Sequence, residues 1–156
     1  LRNEEGATDP HWTSDEDKKF IIQRTKQSGT ILMGSTTYNT IGRPLPNRLN
    51  LIYTNHPEKY PSDTPKLLRA TNLPPHELIK QLEQEGHTEL AICGGSTVYS
   101  LFMNAGVVDK LYLTLEPVLF GTGIPLFNQP VHQKLQLVSL DHLSPQTLLL
   151  EYDVEK

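Results

Sequence analysis

The sequence has little cysteine, no excess of basic residues and no long apolar run, and each shortage excludes a class of protein. One cysteine among 156 residues rules out an internal disulfide and indicates a reducing cytoplasm. The formal net charge is −4 and no basic run is interleaved with aromatic residues, so nothing predicts binding to nucleic acid. The longest apolar stretches have the length of strands, which excludes a membrane span.

Metal ligands and an activated thiol are also missing. Six histidines are scattered without His-x-x-x-His or Cys-x-x-Cys spacing, so no metal site is predicted. Cys93 ends the apolar run 89–93, whereas an activated thiol needs electropositive, partly open surroundings. The length and the 37% hydrophobic content fit a single domain spanning residues 1–156.

The stretch 91–99 organises the chain. An apolar run stops at Gly94 and Gly95, and Val98, Leu101 and Phe102 then recur at helical spacing. This pattern predicts a strand, a glycine turn and the N-terminus of a helix, where the backbone approaches a ligand closely and free N–H groups favour an anion. We interpret it as a phosphate cradle, and a tight turn without a ligand is the alternative.

The same pattern occurs earlier. The apolar run 30–33 ends at Gly34, and Ser35, Thr36 and Thr37 open a short helix. Two such turns could hold the two ends of one dinucleotide, and the alternative is two ordinary turns of a parallel sheet.

The remaining segments predict an α/β fold with a mainly parallel twisted sheet, helices on both faces and an antiparallel C-terminal hairpin that closes the sheet. Ser14 is a good N-cap for a helix that runs to Gly29, with Asp17 at position N3. The glycine-rich loop 120–127 is predicted to cover the site. Further expected elements are strands at 49–54, 67–70 and 107–115, a helix from Pro75 to Gly86, and a hairpin of 133–143 with 146–154.

These segments carry a family resemblance. Residues 33–48, with the strand to Thr54, resemble the first nucleotide-binding segment of dihydrofolate reductases, and residues 92–99 with 109–114 resemble the second. Residues 12–14 and 121–127 are more similar to the reductase domain of riboflavin biosynthesis and its single-domain relatives. The resemblance implies a dihydrofolate reductase-like fold.

The resemblance also implies NADPH as the cofactor. One glycine turn would approach the pyrophosphate, the other the pyrophosphate and the nicotinamide, and Thr54 and Asn55 end the strand that receives the adenosine 2′-phosphate. Ser35 replaces an arginine frequent in dihydrofolate reductases, which leaves the choice between NADPH and NADH open. The predicted cofactor-binding residues are Gly34, Ser35, Thr36, Thr37, Thr54, Asn55, Gly94, Gly95, Ser96, Thr97, Val98 and Tyr99.

The implied reaction reduces a C=N or C=O bond of a pteridine- or aminopyrimidine-like small molecule, as in 5-amino-6-(5-phosphoribosylamino)uracil reductases. The family spacing from Trp12 points to Asp17 as the proton donor and to Thr114 as its partner; a solvated capping role is the alternative for Asp17. Arg48 matches a substrate-binding position, with a surface charge as its alternative. A dihydrofolate reductase proper and a non-catalytic nucleotide-binding protein stay open, whereas the missing zinc deaminase signature excludes the bifunctional riboflavin enzyme.

Two further expectations concern assembly. The resemblance implies a homodimer, for which the apolar segments 135–138 and 148–150 are a candidate surface, with burial in the sheet core as the alternative. It also implies a central strand before the loop 1–11, which nothing in that loop can replace. We expect that strand beside Ala91, supplied by residues ahead of Leu1 or by a partner chain.

Overall fold

The computed structural model describes residues 12–156, which contain four α-helices and one short 3-10 helix (Pro57–Lys59). The first helix begins after its N-cap Ser14, whose Oγ accepts a hydrogen bond from the Asp17 N–H at 3.1 Å, and it ends at Gly29 in the left-handed region. The predicted start and stop are therefore confirmed. The helices are α1 (Asp15–Ser28), α2 (Ser35–Ile41), α3 (Pro75–Gln84) and α4 (Ser96–Asn104).

The strands form two separate sheets. A parallel sheet has the order β3-β2-β1-β4, and an antiparallel sheet has the order β5-β7-β6. The fold class is mixed α/β, as predicted. The strands are β1 (Thr30–Gly34), β2 (Leu49–Tyr53), β3 (Leu68–Thr71), β4 (Ala91–Ile92), β5 (Lys110–Leu115), β6 (Leu135–His142) and β7 (Leu148–Val154).

The core lies around the two central strands of the parallel sheet. Ile31 and Leu32 are neighbours on β1 and both are fully buried, so both faces of the sheet are covered. On one face, Leu32 and Leu51 pack with Leu78 of α3 and Phe102 of α4. These contacts fix the carboxyl ends of β1 and β4, from which the two glycine turns emerge.

The predicted position of the C-terminal hairpin needs a correction. Its two strands pair as expected around Ser144, but within residues 12–156 they form no ladder with the parallel sheet. Instead, β7 pairs with β5 in the antiparallel direction, with Leu113 opposite Leu150. The hairpin and β5 therefore form a sheet of their own.

A cleft of about 550 Å³ separates the two sheets. Its walls include residues 89–92 on one side and 110–113 on the other, so β4 and β5 each present an edge to it. Within residues 12–156, β4 pairs only with β1, which explains why it keeps two residues of the predicted five. The strand expected beside Ala91 lies outside the described residues and stays a prediction.

The two halves of the hairpin differ in burial. Leu149 and Leu150 on β7 are 8% and 9% exposed, whereas Leu137 and Leu140 on the edge strand β6 are 52% and 51% exposed. Of the predicted interaction surface, only the β6 part is therefore accessible in this chain. None of the helices within residues 12–156 combines the length and the apolar character that crossing a membrane requires.

Candidate active site

The two glycine turns meet around one cavity of about 840 Å³. The turn after β1 and the first turn of α2 form one side, and the turn after β4 with the first turn of α4 forms the other. All twelve predicted cofactor-binding residues line this cavity. The lining residues that sequence reasoning missed are Thr40, Ile41, Tyr53, His56, Cys93, Leu101, Ile124 and Asn128.

The turns contact each other directly. The Gly34 N–H donates a hydrogen bond of 2.8 Å to the carbonyl oxygen of Gly94. A Cβ at Gly34 would lie 3.3 Å from Val98 Cγ2, so this close approach of β1 and α4 favours glycine. Because its N–H already has an acceptor, Gly34 shapes the cavity wall through its missing side chain, and its approach to a pyrophosphate stays a prediction.

The Gly94-Gly95 turn keeps space open beside Thr37. A Cβ at Gly94 would lie 3.4 Å from Thr37 Oγ1, and one at Gly95 would lie 3.5 Å from the same atom. Gly94 also has a φ of +124°, which disfavours any side chain, whereas Gly95 has a φ of −96°, which other residues adopt. The peptide bond between these two glycines is cis. A side chain at Gly95 would therefore fill the cavity at a φ that other residues adopt.

Hydroxyl groups at the start of α4 hold the loop that covers the cavity. Ser96 Oγ donates to the Pro125 carbonyl at 2.6 Å, and Thr97 Oγ1 accepts from Asn128 Nδ2 at 2.6 Å. Ser100 Oγ accepts from the Asn128 N–H at 3.0 Å. The loop packs over the site as predicted, and the hydroxyls of Ser96 and Thr97 bond to it rather than pointing freely at a ligand.

The end of β2 forms another part of the cavity wall. The Thr54 N–H donates to the Thr71 carbonyl, and Thr54 Oγ1 accepts from the His56 N–H at 3.1 Å. This local turn leaves Asn55 and His56 exposed at the cavity. His56 was missed, although its place directly after Asn55 was a signal.

Tyr99 belongs to both cavities. It lines the 840 Å³ cavity and the cleft between the sheets, and its ring lies against Phe127 at 6.4 Å between centroids. Burial raises the pKa of the Tyr99 phenol and raises the pKa of the neighbouring Cys93 thiol to about 11. A thiol with this pKa is not a nucleophile near neutral pH.

Asp17 is a buried carboxyl group in the first turn of α1. Its side chain is hydrogen-bonded to Thr114 of β5, and the residue is only 5% exposed. Among the described residues no partner bonds its Oδ1. Burial raises the pKa of Asp17 and the charge of Glu116 adds to this, while the Thr114 hydrogen bond and Lys18 oppose it. Asp17 is therefore not the solvated capping group of the alternative interpretation.

Glu116 fixes the start of α1. Its Oε1 accepts from the Ser14 N–H at 3.1 Å and from Ser14 Oγ at 2.8 Å, and its Oε2 accepts from Thr147 Oγ1 at 3.0 Å. Although burial acts in the opposite direction, these bonds hold the pKa of Glu116 below its usual value. Sequence reasoning missed this residue, because Ser14 and Glu116 are 102 positions apart.

Arg48 lies apart from the other predicted site residues. It is 7% exposed, which excludes a surface charge, and it lines neither cavity. Its guanidinium donates to the Ile22 carbonyl at 3.1 Å, to Thr25 Oγ1 at 2.6 Å and to the Pro46 carbonyl at 2.9 Å. These contacts tie α1 to the start of β2. A substrate-binding role for Arg48 thus has no support from its position, because the groups that it binds belong to the protein.

The structure thus assembles two groups of predicted residues. The twelve cofactor-binding residues surround one cavity, and Asp17 meets Thr114 at the end of β5. Neither Asp17 nor Thr114 lines that cavity or the cleft. The first group is suited to an anionic, extended ligand and the second to holding a proton.

Sequence comparisons agree with this geometry. The sequence profile of dihydrofolate reductase matches residues 8–133, which is most of the chain. A dihydrofolate reductase from Aedes albopictus is 31% identical, over 92% of this chain and 82% of its own length. The chain belongs to the dihydrofolate reductase family. The uncharacterised protein YwjB of Bacillus subtilis is 26% identical over 69% of this chain, and the match spans 64% of YwjB, less than two thirds of its length.

Solved structures share this fold. A Shewanella sp. PV-4 protein provisionally assigned to riboflavin biosynthesis superposes with a TM-score of 0.80 and 17% identity, covering all of this chain and 92% of that one. The Thermotoga maritima diaminohydroxyphosphoribosylaminopyrimidine deaminase/5-amino-6-(5-phosphoribosylamino)uracil reductase superposes with a TM-score of 0.75 and 14% identity, covering 98% and 52%. The fold is dihydrofolate reductase-like, and these two solved structures share it.

Proposed function

We propose that this chain is an NADPH-dependent reductase that acts on a C=N or C=O bond of a pteridine- or aminopyrimidine-like small molecule. The observation that carries the proposal is Asp17, a buried carboxyl group whose Oδ1 has no partner among the described residues and which is hydrogen-bonded to Thr114. A protein that only bound nucleotides would have no use for such a group, whose burial destabilises its charged form.

The 840 Å³ cavity fits a dinucleotide cofactor. The glycines beside Thr37 leave open the space that a Cβ would fill, and the N-terminal turns of α2 and α4 face the same cavity. Thr54, Asn55 and His56 would hold the adenosine end, and Tyr99 the nicotinamide end. Bound NADPH would supply the hydride.

Asp17 supplies the proton in this proposal. Because its pKa is raised, the carboxyl keeps its proton closer to neutral pH than an exposed aspartate does. In this proposal the Thr114 hydroxyl bonds to the carboxyl, and the buried Oδ1, which has no partner among the described residues, would donate the proton to a nitrogen or oxygen of the substrate. After the transfer Asp17 is ionised, and solvent returns a proton to its carboxylate.

The proposed substrate class is taken from the names of proteins that are similar to this chain in fold or sequence. The Shewanella protein is assigned to riboflavin biosynthesis and the Thermotoga protein is named as an aminouracil reductase, so a phosphoribosylated aminopyrimidine is the first substrate to test. Dihydrofolate is the second, because the Aedes relative is a dihydrofolate reductase. We place the reaction in the cytoplasm and expect a homodimer in which the exposed face of β6 takes part.

NADPH oxidation, followed by its near-ultraviolet absorbance, tests the proposal against a panel of the aminouracil ribosyl phosphate, dihydrofolate and simple imines. We expect Asp17→Asn to lower kcat at least 100-fold while NADPH binding is unchanged, because general acid catalysis contributes about 10²–10⁴-fold. Asp15→Asn is the matched control, since Asp15 is exposed in the same helical turn. Equal kcat in Asp17→Asn and wild type would reject the proton donor, and NADPH binding without turnover of any panel member would identify a nucleotide-binding protein.

A further inference from the structure

The carboxyl groups of Asp17 and Glu116 lie on the two sides of one contact between α1 and the antiparallel sheet. Asp17 is bonded to Thr114 on β5, two residues before Glu116. Glu116 receives the N–H and the hydroxyl of Ser14, the N-cap of the helix that carries Asp17. The first turn of α1 is thus held to the same short segment at two points.

We propose that Glu116 is a positioning residue for Asp17, because its carboxylate anchors the N-cap of α1 and holds the Asp17 carboxyl against Thr114. This inference rests on the proposed function in that it takes Asp17 as the proton donor.

Three hydrogen bonds keep Glu116 in place and ionised. Ser14 donates twice to Oε1, and Thr147, which is 1% exposed at the start of β7, donates to Oε2 at 3.0 Å. Thr147 Oγ1 also lies 3.4 Å from Ser14 Oγ. A carboxylate that accepts several hydrogen bonds stays charged, and bonds to a charged group are stronger than neutral ones. The anchor is therefore firm and carries a full negative charge.

That charge acts on Asp17 as well as on the backbone. Two charged groups of the described chain influence Asp17: Glu116 from the β5 side disfavours a second negative charge, and Lys18 on α1 itself favours it. A like charge that is held at a fixed position raises the affinity of the other carboxyl for its proton. Glu116 thus both orients the acid and helps to keep it protonated.

The pKa of Asp17 provides a test that needs neither cofactor nor substrate. Carbon-13 NMR of aspartate-labelled protein, with the Asp17 signal assigned through Asp17→Asn, gives that value in wild type and in Glu116→Gln. Removing the charge while keeping the shape should lower the pKa of Asp17 by about one pH unit, which is the size expected for a charge several ångströms away near a protein surface. The alkaline limb of the kcat/KM profile, which reports the free enzyme, should move to lower pH by the same amount.

Glu151→Gln is the matched control. Glu151 lies on β7 of the same sheet and accepts hydrogen bonds from Lys110, Tyr112 and Ser139, but it does not touch α1. The pKa of Asp17 should be the same in Glu151→Gln and wild type. An unchanged pKa in Glu116→Gln, or an equal fall in both variants, overturns the inference.

Ser14→Ala and Thr147→Val keep the test decisive if Glu116→Gln does not fold. Each removes one hydroxyl donor from the anchor and leaves both carboxylates, so we expect kcat to fall at least threefold with KM unchanged. An unchanged kcat in both variants overturns the anchor. Failure of the proposed function is distinguishable, because a wild-type protein without reductase activity still reports the pKa of Asp17.

Discussion

The parallel and the antiparallel sheet both contain many leucines, but they differ in how deeply these side chains are buried. Leu32 and Leu51 in the parallel sheet are fully buried, because helices and neighbouring strands cover both faces. Leu137 and Leu140 on β6 are about half exposed, because β6 is an edge strand. An apolar strand in a sequence therefore predicts pairing, and its position in the sheet decides its burial.

The two sheets also divide the proposed chemistry between them. The parallel sheet ends in the two glycine turns that line the 840 Å³ cavity. The antiparallel sheet provides Thr114 on β5, with Glu116 directly after β5 and Thr147 directly before β7, and these groups hold α1 and its Asp17. Binding of the cofactor and delivery of the proton thus depend on different sheets, and mutations can separate them.

The largest difference should appear when one leucine of each sheet is truncated. Leu51→Ala removes a fully buried side chain and should lower the free energy of unfolding by about 2–5 kcal/mol. Leu137→Ala removes one that is 52% exposed and should change it by about 0.5 kcal/mol or less. Urea denaturation measures both values.

The same pair of variants can break the comparison. If Leu137→Ala destabilises the protein by more than about 1 kcal/mol, and the loss grows with protein concentration, then β6 is covered by a second copy of the chain. In that case the exposed face of β6 is the expected dimer surface, and the contrast between the sheets holds only for the isolated chain.

The cavity of the parallel sheet should be closed by one side chain. Gly95→Val places two methyl groups beside Thr37 at a backbone conformation that valine can adopt, so NADPH affinity should fall about 100-fold or more while the protein stays folded. Ala105→Val is the control, because it adds a similar group after the other end of α4. Calorimetric titration with NADPH measures the affinity of both variants. Equal affinity in Gly95→Val and Ala105→Val would show that NADPH does not bind in this cavity.

Hydrogen exchange should distinguish the interior of the parallel sheet from its edge. Backbone amides of β1, which pairs on both sides, should exchange about 100-fold more slowly than amides of β4 that face the cleft. Slow exchange along that edge of β4 would mean that a segment outside the described residues, or a second chain, pairs with it. The measurement therefore also tests the expected strand beside Ala91.

The smallest effect concerns the stability of the Asp17→Asn variant. The folded-state pKa of Asp17 lies above its unfolded value, so the stability that the protonated carboxyl contributes is complete below the unfolded pKa of about 3.8 and is lost as pH rises through the folded pKa. Asparagine has no such loss. Relative to wild type, the Tm of Asp17→Asn should therefore be higher at pH 8 than at pH 4, by about 1–3 °C. A difference that does not change with pH would show that Asp17 is ionised without cost.

Local signals predicted much of the fold, and long-range contacts were beyond them. Ser14, Gly29 and Pro75 marked helix boundaries correctly, because capping depends on residues that are close in sequence. The register that places Leu113 opposite Leu150 left no mark in the sequence, so the pairing of the hairpin with β5 was not predicted. Register between distant strands is set by the packing of the whole domain.

The candidate site shows the same limit. The glycine turns and the family resemblance gave twelve of the twenty residues that line the cavity. Arg48 was assigned from a matching position, yet its guanidinium binds carbonyls and a hydroxyl from α1 and the turn before β2. Glu116 was missed because its partners Ser14 and Thr147 are distant in sequence. The position of a residue in a motif predicts where it lies in the molecule. Only the fold shows which of its polar atoms remain unpaired and can bind a ligand.

The hydrogen bond from the Gly34 N–H to the Gly94 carbonyl has a consequence for how this site can evolve. The two loops are sixty residues apart in the chain, but a change in either one displaces the donor or the acceptor of this hydrogen bond. Their sequences are therefore expected to change together. Drift in one loop must be matched by drift in the other before a new ligand can be accommodated. Directed evolution of cofactor preference should therefore randomise both loops in one library, since either loop mutated alone meets a fixed partner.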